Sequence, residues 1–530
     1  MTVGLPGNTF GESVKQYVTP IATGLRMAMI VNPAVIPRGP TLHDEGEYGG
    51  VPVILKSGSD VDRYTGLATS VKNMGIDLKT VIANGAEIRL MVAASSGTNA
   101  VLDLLDAGAS TSVTVRALNA GTDGNCIKIA ITADAADPTL YFNLAVSHTL
   151  QPSLNKTYYH CSIDRGRADY IERLINDVDS LIEVDAFIAS DVPAPLSATA
   201  LTGGLIGAPA HTDYGLAMAA FNGDKDLQVL CTDYSFCGAN GFPSYDGEVL
   251  NDGYLYCDDT ASVGGRGDMG FIDFVPPLLS VAQAVQYREA TGGYGATFVD
   301  STYVKLLYPG ALKVLESGGI SSKTSFAECL SAYAAAFRLE QEWFSVAGKK
   351  RGYLPRVKRV VPNVNGSSDH QTLIDAQINP ILWDAGSNVA YIGDDLTMTR
   401  DLQDPRKFFG IRMMLTSIKR RFSVETSTVE WDPNTPAQWK KLAQNMESYL
   451  DFVQSEQGIQ GTVESPGYKW EGDQQADTIE DATINTPADL LGGKYKANCY
   501  VVSVGPLRKL TLTVVATKSS TEFSESLAGA

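Results

Sequence analysis

The chain reads as a multidomain α/β and β protein with extended terminal arms, on three observations. It has 530 residues, 44% of them apolar, too many for one core and enough for about three or four domains of roughly 150 residues each. Helical and strand patterns alternate after residue 200, as in an open layered α/β structure, whereas residues 94–191 read mostly as strands. Near the C-terminus two capped amphipathic helices are followed by β segments, the last of them an alternating strand close to the chain end.

Residues 1–25 are rich in Gly, Thr and Pro, with isolated Phe10, Tyr17 and Val18. They are too thin in apolar residues for a core of their own and are expected to form an arm that orders on something else. Arg26 to Val31 is a short apolar run. A loop punctuated by Pro33, Pro37, Pro40, Gly46, Gly49 and Gly50 follows, then strands at Val51 to Leu55 and Ile88 to Ala93. In the β-rich part, strands are expected at Ser112 to Leu118, Cys126 to Thr132 and Leu140 to Val146, with a turn at Gly121-Thr-Asp-Gly-Asn125. A helix from Arg167 to Glu183 is expected to close it, because Ile171, Leu174, Ile175, Val178 and Ile182 recur at helical spacing. After Leu201-Thr-Gly-Gly204 come a helix at Tyr214 to Phe221, strands at Leu227 to Cys231 and Phe271 to Val275, and a helix at Ser325 to Val346.

Asp404-Pro405 starts the first C-terminal helix, expected to run to Phe422 with Phe408, Ile411, Leu415, Ile418 and Phe422 on its apolar face. Proline at the first turn costs no needed donor. Thr435-Pro436 starts the second, expected to run to Gln457, with Trp439, Leu442, Met446, Leu450 and Val453 buried and Gly458 as the left-handed cap. Tyr495 to Val504 is strand-like and is stopped by Gly505-Pro506, since proline lacks the amide proton a ladder needs. The next segment, Leu507-Arg-Lys-Leu-Thr-Leu-Thr-Val-Val-Ala516, puts Leu510, Leu512, Val514 and Ala516 on one face and Lys509, Thr511 and Thr513 on the other. These two strands either pair locally, or the second augments a sheet on a neighbouring molecule.

Composition narrows function. A net charge of −18 argues against general nucleic-acid binding. The seven cysteines are scattered with no C-x-x-C pair and read as buried free thiols in a reducing cytoplasm. A secretory leader and an apolar stretch of about 18 residues are both missing, so neither Sec export nor membrane insertion is expected. Gly265-Arg-Gly-Asp-Met-Gly270 fits G-x-G-x-x-G but runs into Phe271-Ile-Asp-Phe-Val-Pro-Pro277, which cannot start the helix a dinucleotide fold requires. Its Arg266-Gly-Asp268 reads as a plain surface loop. His211 near Asp213 has no nucleophile turn beside it. His160-Cys161 is a poor metal pair because adjacent residues rarely share one ion. Lys349, Lys350, Arg351, Arg356, Lys358 and Arg359 form one basic cluster and Lys419, Arg420 and Arg421 a second. Without interleaved aromatics these suit solvent, the acidic run Glu471, Asp473, Asp477, Glu480 and Asp481 of a neighbour, or another protein surface.

Several segments together resemble the tail sheath proteins of contractile-tailed bacteriophages, from about Arg89 to Ala516. They are the Gly121 turn, Leu201-Thr-Gly-Gly204 with Asp213-Tyr214 and Leu227 to Leu230, Val275-Pro276-Pro277, Ile378-Asn379-Pro380, and the strand at Asn388 to Ile392. Ile411-Arg412, Ser417-Ile418, Phe422-Ser-Val-Glu425, the Trp439 helix and Gly458-Ile-Gln-Gly461 continue the likeness. The chain departs from the family in lacking a tryptophan in Val389-Ala-Tyr-Ile-Gly393, in having Glu425-Thr426, and in its N-terminal arm.

The resemblance implies an α/β sandwich core with these parts: an arm at 1–25, part of the core at 26–93, a β-rich insertion at 94–200, a subtilisin-like α/β domain without a catalytic site at 201–350, a C-terminal sheath domain at 351–505, and an arm strand at 506–530. It further implies a non-enzymatic, cofactor-free subunit that assembles with itself as six-fold rings in a helical polymer around a tail tube protein, and with baseplate and tail terminator proteins. Such a subunit is part of the virion tail and is assembled in the host bacterial cytoplasm. Leu507, Leu510, Leu512, Val514 and Ala516 would form the intersubunit strand, and Lys349 to Arg351 and Lys419 to Arg421 would meet the tube or a neighbour. Rival readings are a sheath from a tailocin or injection system, and a cytoplasmic α/β hydrolase using His211.

Overall fold

The computed structural model describes residues 24–33, 36, 41–42, 50–65, 77–150, 152–176, 178–179, 181–187, 191–236, 244, 246–258, 265–294, 298–316, 319–427, 434–478, 481–486 and 495–506. The chain begins with β1 (Arg26–Val31), β2 (Val53–Leu55), α1 (Gly58–Thr65), α2 (Leu78–Ala83) and β3 (Glu87–Val92). It then leaves for an insertion built of β4 (Gly97–Leu105), β5 (Thr111–Ala120), β6 (Ile127–Ala133), β7 (Phe142–His148), β8 (Lys156–Cys161), α3 (Ile171–Ile175), β9 (Ile182–Ala186), β10 (Leu196–Ala200) and β11 (Leu205–Ile206). It returns through α4 (His211–Met218), β12 (Val229–Thr232), α5 (Glu248–Cys257), β13 (Gly270–Phe274), α6 (Val281–Arg288) and β14 (Val304–Tyr308).

A three-stranded sheet follows, of β15 (Ala311–Glu316), β16 (Gly319–Thr324) and β17 (Val357–Val360), with α7 (Phe326–Leu339) and α8 (Gly348–Arg351) between its second and third strands. Then come α9 (Ser368–Asp375), β18 (Ile378–Asp384), β19 (Val389–Ile392), α10 (Phe409–Ser427), α11 (Pro436–Ser455), β20 (Tyr468–Glu471) and β21 (Asn498–Val501).

The largest sheet has eight strands in the order β19-β18-β14-β13-β12-β1-β3-β2. The six inner strands are parallel and the two outer ones antiparallel. Parallel strands buried on both faces read as continuous apolar runs, and side-chain alternation sorts those runs into two cores. From β1, Met27, Met29 and Val31 join Phe326, Leu330, Phe337, Phe409 and Met413 on one face. Ala28 and Ile30 join Tyr214, Leu250, Ala284 and Leu373 on the other. This one sheet takes strands from three of the segments that the sequence set apart, 26–93, 201–350 and 351–505.

Gly253 on α5 lies against Phe271 of β13, where a Cβ would stand 2.3 Å from the ring. Gly253→Ala is expected to cost about 1–3 kcal/mol through overpacking, read from urea denaturation.

The insertion is two four-stranded sheets, β10-β6-β7-β8 and β11-β4-β5-β9, sharing one core. The helix expected from Arg167 to Glu183 is a single short helix, Ile171–Ile175, and Ile182 beyond it opens a strand. Asn176 exchanges hydrogen bonds with the backbone of Val184. Asp179 accepts from the amides of Leu181 and Ile182 and from the Tyr158 hydroxyl. Side chains that satisfy the backbone outside a helix compete with helix continuation, so Ile182 pairs with Ala117 on β5 and Val178 is exposed.

The two glycine motifs meet at the root of the insertion. Asn125 Nδ2 donates to the Gly204 carbonyl, and Gly204 N donates to Asn125 Oδ1, both at 2.9 Å. A Cβ on Gly204 would lie 2.3 Å from the Gly121 carbonyl oxygen, so the close backbone approach requires glycine there.

Candidate functional site: the C-terminal ribbon and its groove

Asp404 accepts from Arg406 N at 2.7 Å and starts only a single 3-10 turn, Pro405–Lys407. Phe408 is extended, so the helix expected from Asp404 to Phe422 runs instead from Phe409 to Ser427. The group at its start is remote in sequence: Asp395 Oδ2 accepts from Gly410 N at 2.9 Å. Asp395 Oδ1 meets Lys305 Nζ of β14 at 2.6 Å, in an ion pair 0% and 3% exposed. α10 is apolar on two sides, with Phe409 and Met413 entering the sheet core and Met414 and Ile418 packing with α11 through Met446, Leu450 and Val453.

α11 buries Trp439, Leu442, Met446, Leu450 and Val453, but its left-handed residue is Gln457, φ 62°, rather than Gly458. Gly458 is needed for room, since a Cβ there would sit 2.7 Å from Val453 and 3.0 Å from Trp343 Nε1.

On these helices lies a ribbon of β20 and β21, antiparallel with Tyr468 opposite Val501 and Glu471 opposite Asn498. Trp470 turns inward against Phe422, ring centroids 5.7 Å apart. Among the described residues the ribbon has no third strand. Beyond it Ser503 bridges Ile459, while Tyr500 (56%), Val502 (55%) and Val504 (40%) are exposed. Leu507, Leu510, Leu512, Val514 and Ala516 lie outside the described residues.

Beneath the ribbon is a groove of about 510 Å³, floored by Leu415, Ile418, Phe422, Trp470, Cys499 and Val501. One wall carries Arg412, stacked 3.9 Å from the Tyr303 centroid, and Lys419, which donates to the Tyr303 hydroxyl at 3.1 Å.

The two basic clusters differ. Arg420 is buried, donating to the Asp268 carbonyl at 2.6 Å and to Glu342 at 2.5 Å, and Arg421 pairs with Glu425. As a contact for a tube or neighbour, Arg420 is therefore corrected to an internal tie, and Lys419 and Arg421 are likewise engaged within the subunit. The other cluster is at the surface: Lys349 pairs with Asp384, and Lys350 and Arg351 with Glu340, while Lys350 stays 76% exposed. In the acidic run, Asp473 is taken up locally. Burial works against its ionisation, but hydrogen bonds from Thr483 and Asn485 hold it down at about 2.

The sharper chemical motifs resolve structurally. Gly265 to Gly270 leads into β13 rather than a helix. Arg266 is no exposed loop residue, because it pairs with Asp268 at 2.9 Å and donates to the carbonyls of Phe221 and Asp224. His211 Nδ1 lies 3.2 Å from Asp252, and Asp213 instead accepts from Ala210 N. His160 stacks on Tyr141, while burial pushes the Cys161 thiol up to about 12. Cys126 and Cys499 are only half-buried. Among the described residues no His, Cys, Asp and Glu group is placed to hold a metal ion, and no helix is long and apolar enough to cross a membrane.

A buried acidic pair that the sequence reading did not single out sits at the C-terminal ends of the central strands. Asp233 accepts from Asn32 N at 3.0 Å and from the Tyr214 hydroxyl at 2.6 Å; Asp273 accepts from Ser235. Burial pushes each up to about 7 from 3.8. The folded chain then holds protons that the unfolded chain releases above the ordinary value. The stability these groups contribute is thus complete at acid pH and lost as pH rises through about 7, with a slope of up to about 1.4 kcal/mol per pH unit per group. Asp233→Asn with Asp273→Asn is expected to flatten the decline of the urea midpoint between pH 4.5 and 7 relative to wild type, and an unchanged decline would contradict the assignment.

No family model matches the chain, and no curated protein matches it. Solved structures do. A sheath tail protein from Listeria innocua is similar at TM-score 0.58 with 12% identity, over 91% of this chain and 95% of that one. One from Desulfitobacterium hafniense is similar at 0.52 with 14% identity, over 89% and 94%. The helical sheath of the anti-feeding prophage in its contracted state is similar at 0.51 with 12% identity, over 97% and 99%. The fold of this chain is that of sheath tail proteins along nearly its whole length.

Proposed function

We propose that this chain is the structural subunit of a contractile tail sheath. It polymerises with itself as stacked six-fold rings around a tail tube, and its contraction drives the tube through the host envelope. The observation that carries the reading is the two-stranded ribbon β20–β21, which has no further strand among the described residues, followed directly by the alternating segment Leu507 to Ala516, whose sequence pattern is that of a strand. An unpaired strand edge is a template for another chain, and a neighbour's segment added there would link subunits by backbone hydrogen bonds. The subtilisin-like description of residues 201–350 belongs to this reading, without a catalytic role.

Tube, baseplate and terminator proteins are its partners, and Lys349, Lys350 and Arg351 are candidate contacts for the tube or a neighbouring subunit. Rings joined by heterologous contacts extend as a helix, and repacking of those contacts into a state burying more surface supplies the work. The subunit would belong to a phage tail assembled in the bacterial cytoplasm. The likeness to the anti-feeding prophage sheath over 97% of the chain favours an injection-system sheath as the second reading, and adjoining capsid and terminase genes would decide between them. Negative-stain electron microscopy of the protein expressed alone is expected to show hollow tubes; stable monomers under all conditions would overturn the proposal.

A further inference from the structure

Lys313 on β15 and Arg359 on β17 stand directly opposite each other, so both occupy the outer face of the three-stranded sheet. Lys313 donates to Ser322 of β16, and among the described residues neither cation has a carboxylate partner. Like charges in register destabilise an isolated sheet. Lys358, the extra residue where the β15/β17 register shifts, adds a third cation. Two residues along, Leu315 (47% exposed) faces Ile320 (64% exposed) across the hairpin, while Leu312, Val314, Val357 and Val360 fill the inner face. An apolar pair flanked by cations, on a chain of net charge −18, has the core-and-rim anatomy of an interface.

The matching feature is on α11. Glu447 and Asp451 are four residues apart on one helix face, where like charges repel. Glu447 is half-buried and, among the described residues, has no cation paired to it; burial, then the Asp451 charge, raises its carboxyl. Asp451 itself accepts from the Tyr468 hydroxyl at 2.6 Å.

We infer that the outer face of the β15–β16–β17 sheet docks on the Glu447–Asp451 face of a second copy of this chain, with Arg359 and Lys313 meeting the carboxylates and Leu315 and Ile320 covered. The inference rests on the reading of the chain as a self-assembling subunit. The two surfaces differ, so the contact is heterologous and propagates, and opposite charges face each other across it.

The test compares wild type, Arg359→Glu, Glu447→Lys and the Arg359→Glu/Glu447→Lys swap, measuring the critical concentration for tubes by sedimentation and microscopy. Each single reversal is expected to raise it by at least about tenfold, because it sets like charges against each other across the contact, and the swap is expected to bring it back toward wild type. Singles that assemble like wild type, or a swap no better than the worse single, would overturn the inference while leaving the sheath reading intact. A wild type that forms no tubes would remove both. Where a reversal loses its cooperative melt, Arg359→Gln and Glu447→Gln take its place: raised critical concentrations support the contact, and unchanged ones overturn it.

Discussion

Asp395→Ala is expected to destabilise the subunit by about 3–5 kcal/mol, the cost of leaving one member of a buried ion pair uncompensated. Lys305 Nζ is fully buried and its carboxylate partner is Asp395; the rings of Tyr333 and Phe409 lie 5.3 and 5.8 Å away. They soften the loss but cannot replace an anion, since a cation facing an aromatic ring gains only about 0.5–2 kcal/mol. The same carboxylate starts α10 by accepting from Gly410 N, and losing such a cap adds about 1 kcal/mol. The two roles separate experimentally. Lys305→Met with Asp395→Asn removes both charges but keeps an acceptor for Gly410, and should recover most of the loss in urea-midpoint measurements followed by circular dichroism. If Asp395→Ala shifts the midpoint no more than a surface substitution, the pair does not hold α10 to the sheet.

This joint also marks where sequence reading stops. β3, β12 and β13 were readable as strands, and β1 only as an apolar run, because burial on both faces leaves a mostly apolar stretch that needs no knowledge of the neighbours. α11 was readable because its buried stripe has one period from Trp439 to Val453. α10 was misplaced at its start because the deciding group, Asp395, lies on another segment, and a local Asp-Pro signal was satisfied by one 3-10 turn. The stretch after Ile175 failed for a different reason: its apolar spacing suits a helix, but Asp179 binds the amides two and three residues on and Asn176 binds the backbone of Val184, which turns the chain out of the helix and into β9. Charge was the least legible. Lys419, Arg420 and Arg421 look like a surface cluster in one dimension, and only the approach of Glu342, 78 residues away in sequence, makes Arg420 an internal tie. Asp233 and Asp273 carried no local signal either, because the sheet order alone sets them at neighbouring strand ends.

Ending the chain after Pro506 is expected to abolish tubes while sparing the fold of the subunit. The ribbon's register is complete within residues 468–501, and its inner face already packs on α10 and α11 through Trp470, Cys499 and Val501, so the melting transition should stay near that of the full chain. What is lost is a tether. A strand of about ten residues gains about 1 kcal/mol for each backbone hydrogen bond it makes and about 1.5–3 kcal/mol for each of Leu510, Leu512 and Val514 it buries. Ordering those residues costs about 1–2 kcal/mol apiece, so the strand alone is a weak ligand. Its effect comes from being covalently part of the subunit, because linking two contacts multiplies affinity by roughly 10²–10⁴ without any new surface. The critical concentration of the truncated chain should rise by about that factor, which at ordinary protein concentrations means no tubes. Leu512→Pro in the full chain should reproduce most of the defect, because proline removes a ladder donor and leaves the length unchanged. Truncated chains that polymerise as readily as the intact protein would show that the strand is not lent to a neighbour, and the linkage between subunits would have to be sought on other surfaces.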